Sequence, residues 1–212
     1  MLHTRTTHPT PQQTLEAARA LASALGKSVS YAIVGGAACS LLGSLRQTED
    51  IDFVVPQGGT PNARSVLRQS ANFNVQPGTN HTTYLFALPE VEPIDIEILA
   101  PPSLFKGEYT AQSPIVYVGE IRVLHPIDIL ASKCESVIQR STGEKRSSDS
   151  ADIAFLLDYI IRHEDIRGEA ELGRLRKIAT KEWIQYYLQN LEPDTEEVWV
   201  KLGLYTSPTE TS

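Results

Sequence analysis

The stretch AIVGGAACSLLGSLRQTEDIDFVV, residues 32–55, decides how this chain folds. SYAIV at 30–34 is a short β-rich run that ends in Gly35-Gly36, and AACSLL then resumes helical character as far as Gly43. DIDFVVP at 50–56 reads as a strand stopped by Pro56. The two glycines therefore sit at a strand-to-helix junction, with an acidic strand close behind. Side chains two apart on a strand leave by the same face, so Asp50 and Asp52 point together while Ile51 and Phe53 point into a core. Asp is disfavoured in strands, and two like charges this close raise each other's pKa unless a cation neutralises them. Hard divalent cations with oxygen ligands, Mg²⁺ above all, suit such a pair.

A two-metal centre needs a third carboxylate to complete its shell. PIDIEIL at 93–99 offers two, Asp95 and Glu97, again two apart on one face of an apolar strand. Gly at a strand-to-helix turn lets backbone N–H groups approach phosphate oxygens. A Gly-Gly turn alone is common, and this one lacks the GK[ST] of a Walker loop and the three glycines of a dinucleotide fold. Followed by an acid pair after thirteen intervening residues, it is far more specific.

Working outward, Thr10-Pro11 opens a helix whose apolar residues are Leu15, Ala18, Leu21, Ala22 and Leu25, closed by Gly26. Thr60-Pro61 caps another through Leu67. Strands are expected at 72–76, 81–88 and 93–99, with a hairpin over 115–124 turning at Gly119-Glu120. Beyond Pro126 the pattern is helical: Ile127, Leu130, Cys134 and Val137 form one stripe, Ile153, Leu156 and Ile160 a second, and two or three further helices fill 165–204. The expected fold is α+β, a mixed sheet flanked by helices over 11–124 followed by a helical region over 125–205, with disordered tails at 1–10 and 206–212.

With 212 residues, 41% of them hydrophobic, the chain can bury a proper core. Its formal net charge of -7 gives no broad electrostatic reason to track a phosphate backbone, so extensive nucleic-acid binding is disfavoured. Cys39 and Cys134 lie in apolar helical patterns and read as buried free thiols of a reducing compartment, and no apolar run approaches a membrane span; a cytoplasmic location is expected. His3, His8, His81, His125 and His163 show no zinc-site spacing, and no GxSxG or Cys-His signature supports acyl transfer. His81, which opens HTTY beside the acidic strands, is read as structural or surface, with contact to substrate as the alternative.

Residues 32–55 resemble the signature of the DNA polymerase β-type nucleotidyltransferase superfamily: hydrophobic-Gly-[Gly/Ser], a spacer, then Asp-hydrophobic-Asp-hydrophobic. The Arg46-x-Thr48-x-Asp50-x-Asp52 form is similar to that of nucleotidyltransferase-type toxins and abortive-infection proteins. The resemblance implies that Asp50 and Asp52 bind Mg²⁺ or Mn²⁺ with Glu97 as third ligand and Asp95 as its alternative. It implies too that Gly35 and Gly36 hold the triphosphate, and that Arg46 and Thr48 shape the loop beside the nucleotide. LASKCESVIQR and KRSSDSADI resemble the family's Lys helix and Arg-Asp-x-x-Asp element, which would put Lys133 and Arg140 on the nucleotide and Asp149 at the rim. Ser147-Ser148 separate Arg146 from Asp149, so the family's adjacent Arg-Asp pair is absent. The implied reaction moves an NMP group from an NTP, ATP first among them, to a hydroxyl of a small molecule, protein or RNA end, with pyrophosphate released. A catalytically degenerate nucleotide-binding or protein-interaction module is the alternative.

Overall fold

The computed structural model describes residues 8–88, 90–140 and 142–207, so 1–7 and 208–212 of the expected disordered tails lie outside the described residues. The chain divides into two compact units, Met1–Leu124 and His125–Ser212.

The first unit opens with α1 (Pro11–Leu25), which is capped reciprocally: Thr10 Oγ1 accepts from the Gln13 N–H, and Gln13 Oε1 accepts from the Thr10 N–H. The helix buries Ala17, Ala18, Leu21 and Leu25. Then follow β1 (Ala32–Ile33), α2 (Gly35–Leu41), β2 (Asp50–Val54), α3 (Thr60–Arg68), β3 (Phe73–Val75), β4 (Thr82–Tyr84), β5 (Ile94–Leu99), β6 (Ile115–Val118) and β7 (Ile121–Leu124). The strands form one mixed sheet in the order β3-β4-β5-β2-β1-β7-β6. β2 runs parallel to β5 and β1 parallel to β7, while the remaining neighbours are antiparallel.

Two sequence expectations need correction. Thr60 is the first residue of α3, not its cap; Gly59 takes that place. The strand expected over 81–88 stops at Tyr84, because its partner β5 begins at Ile94, directly after a proline with no N–H to donate.

Alternation across the sheet separates a core face from an open one. Ile94, Ile96 and Ile98 are buried while Asp95 and Glu97 between them are exposed, and Asn74 is exposed between buried Phe73 and Val75. Helices cover the apolar face: Tyr84 Oη donates to Glu16 of α1 (3.1 Å), and Arg64 of α3 donates to Thr82 Oγ1 (3.2 Å).

The second unit holds α4 (Pro126–Gln139), α5 (Gly143–Arg162), α6 (Glu169–Ile178), α7 (Lys181–Asn190) and α8 (Glu196–Lys201). α4 packs against α5 and α6. Both expected stripes are buried: Ile127, Leu130, Cys134 and Val137 on α4, and Ile153, Leu156 and Ile160 on α5. Among the described residues, no helix is long and apolar enough to cross a membrane.

Candidate active site

The turn from β1 into α2 is built around its glycines. The Val34 N–H bonds the Asp52 carbonyl (2.9 Å), which seats the turn directly beside β2. Gly35 adopts φ +65°, where a side chain is strained, and a Cβ there would lie 2.5 Å from Asp52 Oδ2. A Cβ on Gly36 would meet Arg46 Nη2 at 2.5 Å and Thr48 Oγ1 at 2.9 Å. The space that side chains would need is therefore filled by the residues of the acidic motif. Thr48 Oγ1 donates to the Asp50 carbonyl (3.3 Å) and lies 3.4 Å from Asp50 Oδ1; Arg46 Nη1 donates to the Gln47 carbonyl (3.0 Å).

β2 and β5 pair in register, Asp50 opposite Asp95 and Asp52 opposite Glu97. One carboxylate oxygen from each of Asp50, Asp52 and Glu97 lies within 4.8 Å of the others. Asp95 is not in that group; its Oδ1 lies 3.8 Å from His81 Nε2. Burial pushes the Asp50 carboxyl above its ordinary value, as do the charges of Glu49 and, less strongly, Asp95, while hydrogen bonds from the backbone and Thr48 pull it down. Three hard oxygen donors this close are a donor set that fits a divalent cation, whose charge would offset that repulsion.

A second constellation lies within the helical unit. Lys133 Nζ donates to Asp149 Oδ1 (2.6 Å) and pairs with Asp152 Oδ2 (2.8 Å). Arg140 Nε and Ser136 Oγ both donate to Asp149 Oδ2, at 2.7 and 2.9 Å. Asp149 and Asp152 are buried.

The family model described as "Nucleotidyl transferase AbiEii toxin, Type IV TA system" matches residues 19–200. The chain belongs to this family. It is thus a nucleotidyltransferase, and its fold agrees. A crystal structure of an antigenic nucleotidyltransferase-like protein from Paracoccidioides brasiliensis superposes with a TM-score of 0.71 at 22% identity, over 96% of this chain and 98% of that one. The crystal structure of JHP933 from Helicobacter pylori superposes with a TM-score of 0.51 at 17% identity, over 92% of this chain and 90% of that one. No curated protein matches the sequence significantly.

In this AbiEii-family chain, the structure brings together Gly35, Gly36, Arg46, Thr48, Asp50, Asp52 and Glu97. Lys133, Arg140 and Asp149 belong to the second unit and are bound to one another. The guanidinium bound to Asp149 is that of Arg140, and Arg146 donates to the Arg140 carbonyl (3.2 Å). The resemblance includes Asp152 as the second acid of the Arg-Asp-x-x-Asp element, three residues after Asp149 on the same helix face, but gives it no role, and nothing in the sequence points to Ser136. Burial would raise the Asp149 carboxyl, but the Lys133 charge and the hydrogen bonds from Arg140, Lys133 and Ser136 prevail and hold it below its ordinary value. Lys133 is held above its own by the two carboxylates, against the opposing pull of burial.

Proposed function

We propose that this nucleotidyltransferase transfers an NMP group from an NTP, ATP first among the candidates, to a hydroxyl acceptor, with Asp50, Asp52 and Glu97 holding Mg²⁺ or Mn²⁺. The observation that carries the reading is the convergence of these three carboxylates beside a glycine turn. The bound cation would supply charge neutralisation at the triphosphate and lower the pKa of the attacking hydroxyl. Gly35 and Gly36 let Asp52, Arg46 and Thr48 pack directly against the turn, whose backbone N–H groups are the ones assigned to phosphate oxygens. Within the helical unit, Asp149 holds Lys133 and Arg140 together. The acceptor oxygen bonds the α-phosphorus as its bond to the bridging oxygen of pyrophosphate breaks, and the hydroxyl proton passes to one of the site acids. The two buried cysteines, Cys39 and Cys134, are not joined in a disulfide, which fits a reducing cytoplasmic setting.

Calorimetric titration with ATP, GTP, CTP and UTP, with and without Mg²⁺, tests the reading. Metal-dependent binding is expected in the wild type and lost in the Asp50→Ala, Asp52→Ala double variant. Binding that needs no metal, or that survives in the double variant, would remove the carboxylates from the proposed role.

A further inference from the structure

Two helices take their cap from a hydroxyl, α1 from Thr10 and α7 from Thr180, and α4 takes its cap from an imidazole: His125 Nδ1 accepts from the Ile127 N–H (3.4 Å). A hydroxyl oxygen accepts a hydrogen bond whatever the pH, but an imidazole nitrogen accepts only while it carries no proton. The bond therefore requires His125 to be neutral, with its ring proton on Nε2. Pro126 follows at the first helical position, and the Asp128 and Ile129 N–H groups donate to the His125 carbonyl (2.9 and 3.1 Å). Backbone and ring of this one residue thus hold the first turn of α4.

His125 is only 8% exposed, which leaves little water to replace the cap. The charged groups that face the ring are Asp128 on α4 and Glu171 and Arg174 on α6. Arg174 engages both carboxylates: its Nε and Nη2 donate to Asp128 (2.9 and 3.1 Å), and its Nη1 lies 3.5 Å from Glu171 Oε1. Burial holds the imidazole below its ordinary 6.5 against the pull of the two carboxylates, and the Arg174 charge adds to the effect of burial. A proton on Nδ1 would turn the acceptor into a donor facing the Ile127 N–H, and would add a positive charge at the positive end of the helix dipole. Asp128, which joins α4 to α6, sits in the turn that loses its cap.

We propose that His125 is a proton-sensitive N-cap: neutral, it holds the first turn of α4 and with it the Asp128–Arg174 pair, and protonated, it releases that turn and loosens α4 from α6. A histidine whose folded pKa is lowered contributes stability in full above 6.5, and that contribution is lost as pH falls from 6.5 through the folded value. Hydrogen exchange of the Ile127 amide, measured by NMR on the full chain at about pH 7.5 and about pH 5 and corrected for intrinsic rate, tests the device. In the wild type, protection at Ile127 should drop by about threefold or more at the lower pH, in step with the titration of the His125 ring followed in the same sample. In His125→Asn, whose side chain caps without titrating, protection should be equal at both pH values. Wild-type protection that is unchanged across the range, or that changes out of step with the His125 ring, would overturn the proposal, and so would an Asn variant that loses as much protection as the wild type. The first two readings need only the wild type, so they decide the matter even if the variant does not fold.

Discussion

Gly35 and Asp52 are fitted to each other. A methyl group on Gly35 meets the Asp52 carboxylate, and φ +65° already disfavours any side chain there. Gly35→Ala is expected to lower folding stability by about 1–2 kcal/mol. It should also weaken Mg²⁺-dependent ATP binding by at least about tenfold, because Asp52 must move aside. Calorimetry and urea denaturation on one preparation would separate the two effects; lost stability with unchanged affinity would show that the carboxylate kept its place. Gly36→Ala meets the end of Arg46, a flexible side chain that can swing away, so its effect on affinity should be the smaller. The acid pair was legible because the period of two fixes which side chains share a face. The third acid was not, since Asp95 and Glu97 share theirs; the parallel register of β2 on β5 and the side-chain positions distinguish them, and neither is a local property of the sequence.

Besides their buried apolar stripes, α4 and α5 are joined by ion pairs. Removing Lys133 leaves two buried carboxylates facing each other, and Lys133→Ala should cost about 3–5 kcal/mol. The chain's two tryptophans, Trp183 and Trp199, both lie in this unit, so their emission during urea denaturation reads it specifically. The pH dependence follows from the two shifts. Asp149 is held below its ordinary 3.8, so its contribution is present above that pH and is lost as pH falls through the lower folded value. Lys133 is held above 10.5, so its contribution is present below that pH and disappears as pH rises through the higher folded value. Thermal midpoints of the wild type should thus carry no slope from this pair between 3.8 and 10.5, and Asp149→Asn should show a shallower acid limb. An acid limb unchanged in the variant would mean that other carboxylates govern it. The resemblance names Lys133 and Arg140 together but does not show that Arg140 is the C-cap residue of α4, in extended backbone (ψ 125°), with its Nε donating to Asp149.

At the scale of the molecule, each unit has its own core, and that of the helical unit depends on its last helix. Trp183 stacks on Tyr187 (5.1 Å between ring centroids), and Trp199 meets both edge-on at 5.9 and 6.2 Å. The Trp183 N–H reaches the Cys134 carbonyl at 3.1 Å, tying α7 to α4. The helical pattern over 165–204 predicts two or three helices, of which the structure has three, but not this cluster, which depends on bringing side chains of α7 and α8 together across a turn. Trp199 is fully buried, yet its indole N–H has no hydrogen-bond partner. Volume and polarity therefore act in opposite directions at this position. Trp199→Ala loses the ring and leaves a cavity, for an expected loss of about 3–5 kcal/mol. Trp199→Phe keeps most of the packing and removes a buried orphan donor whose desolvation costs about 1–3 kcal/mol, so its stability should stay within about 1 kcal/mol of wild type. Urea denaturation followed through Trp183 emission distinguishes the two. If the Phe variant falls as far as the Ala variant, the indole is held by its shape and by the edge-on ring contacts, and its unpaired N–H carries little of the balance.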